Sequence, residues 1–211
     1  MNNSALLWGA TGGIGRALVD LLKQNGWTVV AVGRKLDALQ GSADHLVEVE
    51  LSQPSSVERA VSEISQYTPQ VDWWVYAAGD ILSQPVKTHT VQDWQRIMDA
   101  NLNGVFYAAH FSAPLLTEQA PLYILGAVNE RMRLPGLAAY AVAKAGVEAL
   151  GEVLRKELRR PVVVVRPAAV DTPLWQKVPF KMPANAMTPQ ALAEKLLEVY
   201  QQGYRENLLD L

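Results

Sequence analysis

The 211-residue sequence predicts an α/β fold, a doubly wound parallel sheet of six to seven strands flanked by helices on both faces. Three observations predict it. Short apolar runs alternate with helical stretches at intervals that imply right-handed βαβ crossovers. The first run leads through a glycine-rich turn directly into a helix. The second run is continuously apolar, as a strand covered on both faces must be. One domain, residues 1–211, is expected, with no internal repeat.

The elements follow in order. Ser4 to Trp8 is a short strand, then comes Gly9-Ala-Thr-Gly-Gly13-Ile-Gly15, then a helix with Ile14, Leu18, Leu21 and Leu22 on one side. That helix stops near Asn25-Gly26. Trp27 to Val32 is the second strand, ending in Gly33-Arg34-Lys35, and Leu46 to Leu51 the third. Gln53-Pro54-Ser55-Ser56 opens a helix carrying Val57, Val61 and Ile64. Val71 to Gly79 is the fourth strand, where Trp73 and Trp74 fill opposite sides of the sheet. A polar stretch from Asp80 to Thr90, including His89 as a solvent residue, leads to a helix near Val91. A long helical region then runs from Asp99 to about Glu118, kinked or shortened by Pro114.

Ala120 to Leu125 is the fifth strand, and Gly126 to Gly136 a loop over the crevice. A helix from Leu137 to about Arg160 precedes the sixth strand, Pro161 to Arg166. Residues 167–187 are proline-rich at first and read as a lid, with Leu174 and Trp175 as apolar tips. Trp175 either stacks on a flat substrate or covers apolar surface. Thr188-Pro189 caps and opens the last helix, through about Gln202, and Leu208 to Leu211 forms a terminal edge strand.

Composition narrows the function classes. A net charge of −2 without a basic block argues against nucleic acid or an anionic membrane as partner. The absence of cysteine removes thiolate catalysis and zinc–sulfur sites. His45, His89 and His110 are scattered, so no metal site is expected. Met1-Asn-Asn-Ser4 shows no basic, apolar leader, and no window approaches 18 uninterrupted apolar residues. A soluble, cytoplasmic protein is the expectation.

The candidate chemistry lies at the carboxyl ends of the strands, where Gly9, Gly33, Glu50 and Gly79 all fall. Glycines let a backbone approach a pyrophosphate, and the helix amino terminus beyond them offers free N–H groups. Where an NAD-selective site carries an acidic residue, this chain has Gly33, with Arg34 and Lys35 available to neutralise a 2′-phosphate. NADP is favoured over NAD. Glu50 and Leu51 are placed to meet the adenine. Tyr140 and Lys144 are four apart, so a helix stacks phenol and ammonium on one face. A neighbouring cation favours the phenolate, and lowering a tyrosine pKa by about three units takes roughly 4 kcal/mol.

Taken together, the Gly9–Gly13–Gly15 loop, Asn101-Leu-Asn-Gly104, Tyr140-x-x-x-Lys144 and Asp171-Thr-Pro173 resemble a short-chain dehydrogenase/reductase, a Rossmann-fold family, across essentially the whole chain. The resemblance implies hydride transfer between nicotinamide and a small carbonyl or alcohol substrate, with Tyr140 passing a proton. It implies that Lys144 holds the nicotinamide ribose and that Asn101 supports a water linking Lys144 to solvent. Thr11, Gly12, Ile14, Ala78, Pro167, Val170 and Thr172 join the glycines as implied cofactor contacts. Homodimers or homotetramers are implied too, through the helices of 101–118 and 137–160, where Ala108, Ala109, Ala138, Ala141 and Ala145 permit close approach or pack internally.

The sequence departs from the family at several places. Ala127 stands where a serine usually orients the substrate carbonyl; Tyr76-Ala-Ala-Gly79 replaces Asn-Asn-Ala-Gly; Pro167-Ala168 replaces Pro-Gly; and Trp8 stands where Thr precedes the first glycine. Ala127 admits three readings. Asn129 or Arg131 supplies the donor; or the substrate is a quinonoid dihydropterin, since Leu125-Gly-Ala127 and Pro135-Gly136…Tyr140 are similar to the dihydropteridine reductase branch; or the chain is a non-catalytic NADP-binding regulator.

Overall fold

A computed structural model describes residues 3–211. Part of the Met1–Ser4 start therefore lies outside the described residues. Seven strands form one sheet: β1 (Ser4–Trp8), β2 (Thr28–Gly33), β3 (His45–Glu48), β4 (Trp73–Tyr76), β5 (Leu122–Leu125), β6 (Val162–Arg166) and β7 (Leu208–Asp210). Their order is β3-β2-β1-β4-β5-β6-β7, and every pairing is parallel. The order reverses between β1 and β4, which opens a crevice beyond their carboxyl ends.

Alternation along the strands builds two cores. Leu6, Trp8, Val30, Val32, Trp74 and Tyr76 pack on one face against α2 (Pro54–Tyr67), α4 (Gly104–Ser112) and α6 (Ala138–Leu158), with α3 (Val91–Met98) packed against α6. On the other face Ala5, Leu7, Val29, Ala31, Trp73 and Val75 pack against α1 (Gly13–Gln24) and α7 (Pro189–Gln201). Trp73 and Trp74 thus fill opposite faces, as their adjacency requires.

Several expected boundaries move for identifiable reasons. The third strand ends at Glu48 rather than Leu51, because its partner β2 ends at Gly33, the residue opposite Glu48. Glu50 and Leu51 therefore sit in the turn before α2. The helical region expected from Asp99 to Glu118 is interrupted at both ends. Asp99–Asn103 is a π-helical turn continuous with α3 and α4. Pro114 lacks an N–H, and α4 gives way to a tight 3-10 turn, Ala113–Leu115. The loop between β5 and α6 contains the one-turn helix α5 (Asn129–Met132), and the loop from 167 contains a 3-10 turn, Pro173–Lys177.

Candidate active site

The glycine turn is held open by backbone geometry that side chains would destroy. Gly9 has φ +81°, and a Cβ there would overlap the backbone nitrogen of Ala78. A Cβ on Gly15 would collide with the carbonyl oxygen of Gly9. At Gly12 a Cβ would meet only that same oxygen at 3.4 Å, leaving open space above the turn. Gly13 begins α1 and faces Thr172, whose Cγ2 would lie 3.2 Å from a Cβ placed there. Helix N–H groups next to open space, with Thr11, Gly12 and Ile14 accessible, can accept a pyrophosphate. The residues present fit a dinucleotide.

Beyond β2, Arg34 and Lys35 are exposed and form no ion pair among the described residues. Glu50 is turned back on its own loop, accepting hydrogen bonds from the Ser52 amide at 3.2 Å and Ser52 hydroxyl at 3.0 Å. On the opposite side the loop from 167 leaves β6 and brings Thr172 against Gly13. That loop is closed at its base by paired backbone bonds, Asp171 to Met187 and Met187 to Ala169, both 2.8 Å. Trp175 turns inward, its indole N–H donating to the Val170 carbonyl at 2.8 Å. The exposed apolar tips are Phe180 and Met182 rather than Leu174 and Trp175. An open recess of about 400 Å³ formed by this loop itself is lined by Thr172, Trp175, Phe180 and Met182 and does not reach Tyr140.

Lys144 and Asn101 meet at Gly79. A Cβ on Gly79 would lie 2.9 Å from Asn101 Oδ1 and 3.9 Å from Lys144 Nζ, so no larger residue fits between them. Lys144 is only 4% exposed and donates to the Leu125 carbonyl at 2.6 Å. Burial pulls its pKa down to about 8. Its ammonium lies 5.7 Å from the centroid of the Tyr140 ring instead of on the phenol oxygen. Burial consequently outweighs the cation at Tyr140, and the phenol pKa is pushed up to about 12, opposite to the direction the spacing suggested. Asn101 donates to the Ile97 carbonyl at 2.8 Å and the Asp80 carbonyl at 2.7 Å, while its buried Oδ1 has no partner among the described residues.

The π turn carries Asn101, and Tyr76 bonds into it from β4. The Tyr76 hydroxyl donates to the Ala100 carbonyl at 2.9 Å, inside the widened turn, and Gly104 leaves room for it. Sequence reasoning registered Tyr76 only as a departure from Asn. A large residue followed by small Ala77-Ala78-Gly79 was the available signal. Also unanticipated are Asp80, Arg96 and Lys177, which form one ion cluster at the crevice rim. His89 is not a solvent residue, since both ring nitrogens are buried without a partner among the described residues.

Ala127 is buried at the end of β5, and Asn129 follows it at 5% exposure. The Asn129 Oδ1 is buried and without a partner among the described residues, a placement that ordinarily costs about 1–3 kcal/mol. Arg131 is exposed.

Comparison with known proteins identifies the family. The family model described as short chain dehydrogenase matches residues 3–182. A Staphylococcus aureus protein called an uncharacterized oxidoreductase is 26% identical, over 98% of this chain and 94% of its own. An alcohol dehydrogenase from Thermococcus sibiricus, solved with 5-hydroxy-NADP, superposes with a TM-score of 0.89 at 21% identity, covering 100% of this chain and 96% of its own. BdcA, solved with NADPH, gives 0.84 at 20% identity, covering 99% and 93%. The chain belongs to the short-chain dehydrogenase/reductase family of oxidoreductases.

Proposed function

We propose that the chain is an NADP-preferring reductase of small carbonyl compounds, working reversibly on the corresponding alcohols, with Tyr140 as the proton donor. The observation that carries this is Lys144, a buried cation with no carboxylate partner among the described residues, beside Tyr140 and Asn101 at the crevice floor. A buried, uncompensated ammonium is costly, and such groups concentrate where chemistry uses them. Bound NADPH would supply the hydride to the carbonyl carbon. Tyr140, kept protonated by burial, gives its hydroxyl proton to the carbonyl oxygen. Lys144 holds the nicotinamide ribose and favours the phenolate as it forms. Asn101 offers its free Oδ1 to a water that returns the proton. Gly9, Thr11, Gly12, Gly13, Ile14 and Gly15 hold the pyrophosphate, and Arg34 with Lys35 holds the 2′-phosphate, unopposed by any carboxylate on β2.

Asn129 supplies the contact that Ala127 cannot. Its buried Oδ1, two residues beyond Ala127 and without a partner among the described residues, gains one when a substrate hydroxyl donates to it. Half a turn about its last torsion exchanges donor and acceptor, suiting both carbonyl and alcohol. This favours a substituted donor over a quinonoid pterin substrate, which asks less of one fixed group.

The outward faces of α4 and α6 carry Phe106, Val142 and Val153, each about half exposed. A homodimer forms across this face. Ala108 and Ala109 do not contribute, because both are fully buried inside the subunit.

The test is NADPH oxidation with a panel of aldehydes, ketones, quinones and quinonoid dihydropterin. Turnover of carbonyls is expected, falling about 10²–10⁴-fold in Tyr140→Phe with NADPH affinity retained. Tight NADPH binding with no turnover of any panel member would favour the regulator instead.

A further inference from the structure

We propose that Asp80 is an internal stand-in for a phosphate of the dinucleotide: it holds Lys177, and through it the loop 167–187, across the crevice until the lysine exchanges the carboxylate for the phosphate. This rests on the nucleotide site proposed above. Lys177 Nζ lies 2.6 Å from Asp80 Oδ1, bridging 97 residues of sequence and joining the loop to the residue after Gly79. Asp80 is well shielded, its side chain 14% exposed, whereas that of Lys177 is 51% exposed. The lysine is thus the partner free to move.

Three further features suit an exchange. First, Asp80 is held a second time, by Arg96 of α3, so the departing lysine leaves no shielded carboxylate unpaired. Second, cations outnumber anions at this rim. Arg96 also reaches Asp93 at 3.3 Å, but Arg34 has no carboxylate partner among the described residues, and Arg96 and Arg34 both act on Lys177 against its charge, after burial itself. An added anion relieves that repulsion. Third, the base of the loop is fixed by the Val170–Met187 bridge and by the Trp175 bond to Val170, so motion is confined to the segment that carries Lys177.

Calorimetry and stopped-flow binding of NADPH and NADH to wild type, Asp80→Asn and Lys177→Met test the exchange. Removing the competing carboxylate should tighten binding about threefold to fivefold, chiefly through faster association. Lys177→Met should weaken it about tenfold. Changes confined to NADPH assign the lysine to the 2′-phosphate, and changes with both nucleotides assign it to the pyrophosphate. Without nucleotide, trypsin should cleave after Lys177 faster in Asp80→Asn than in wild type. A wild type that binds while Asp80→Asn binds equally or more weakly, with melting unchanged, overturns the exchange alone. A wild type that binds neither nucleotide overturns the underlying site as well.

Discussion

At the scale of single residues, the site is a conflict between burial and charge. Lys144 ionises ordinarily near 10.5 but is drawn to about 8, and a displacement of that size corresponds to roughly 3 kcal/mol at most. Below about pH 8 the lysine is charged in both folded and unfolded chains, so the folded protein bears the whole penalty. Between about 8 and 10.5 the unfolded chain binds more protons, and stability from this group rises with pH. Lys144→Met should therefore raise urea-determined stability by about 1–3 kcal/mol at pH 7, less at pH 10, while nucleotide affinity falls. The same titration should make kcat/KM for NADPH decline above about pH 8. Asn129→Ala should lower kcat/KM for carbonyls about 10–100-fold, with NADPH affinity unchanged and Ala127→Ser restoring part of the loss. The four-residue spacing of Tyr140 and Lys144 was legible in sequence. Their ionisation was not, because desolvation depends on what the fold packs around them.

At the scale of elements, glycines set what can approach what. Gly9→Ala should cost at least about 3 kcal/mol in denaturant unfolding, since a Cβ at φ +81° is strained and strikes the Ala78 backbone. Strand–turn–helix order and the apolar runs gave every strand a readable position, because a parallel sheet leaves continuous apolar segments. The π turn at Asp99–Asn103 was hidden, since helical periodicity survives one extra residue and the Tyr76 hydroxyl that bonds into it comes from β4, distant in sequence. The third strand was overextended for a similar reason: its end is set by where β2 stops, not by its own residues. Trp175 was misassigned as a tip because its bond to Val170 arises only when the loop folds back.

At the scale of the molecule, the doubly wound parallel sheet and the crevice beyond its strands' carboxyl ends were legible in the alternation of elements and the glycine turn, whereas the strand order and the ion cluster of Asp80, Arg96 and Lys177 join segments that no local pattern relates. No helix among the described residues is long and apolar enough to cross a membrane. The assembly proposed through the exposed Phe106, Val142 and Val153 is tested by light scattering, which should show a dimer or tetramer for wild type and a monomer for Phe106→Asp combined with Val142→Asp. The central claim is a phosphorylated pyridine nucleotide lying from the Gly9 turn to Gly79. It is tested most directly by calorimetric titration of NADP and NAD into wild type and Arg34→Ala. NADP should bind at least about tenfold more tightly than NAD, and Arg34→Ala should erase that difference while leaving NAD unchanged. Absence of heat with both nucleotides, with neither competing for the site, would contradict it.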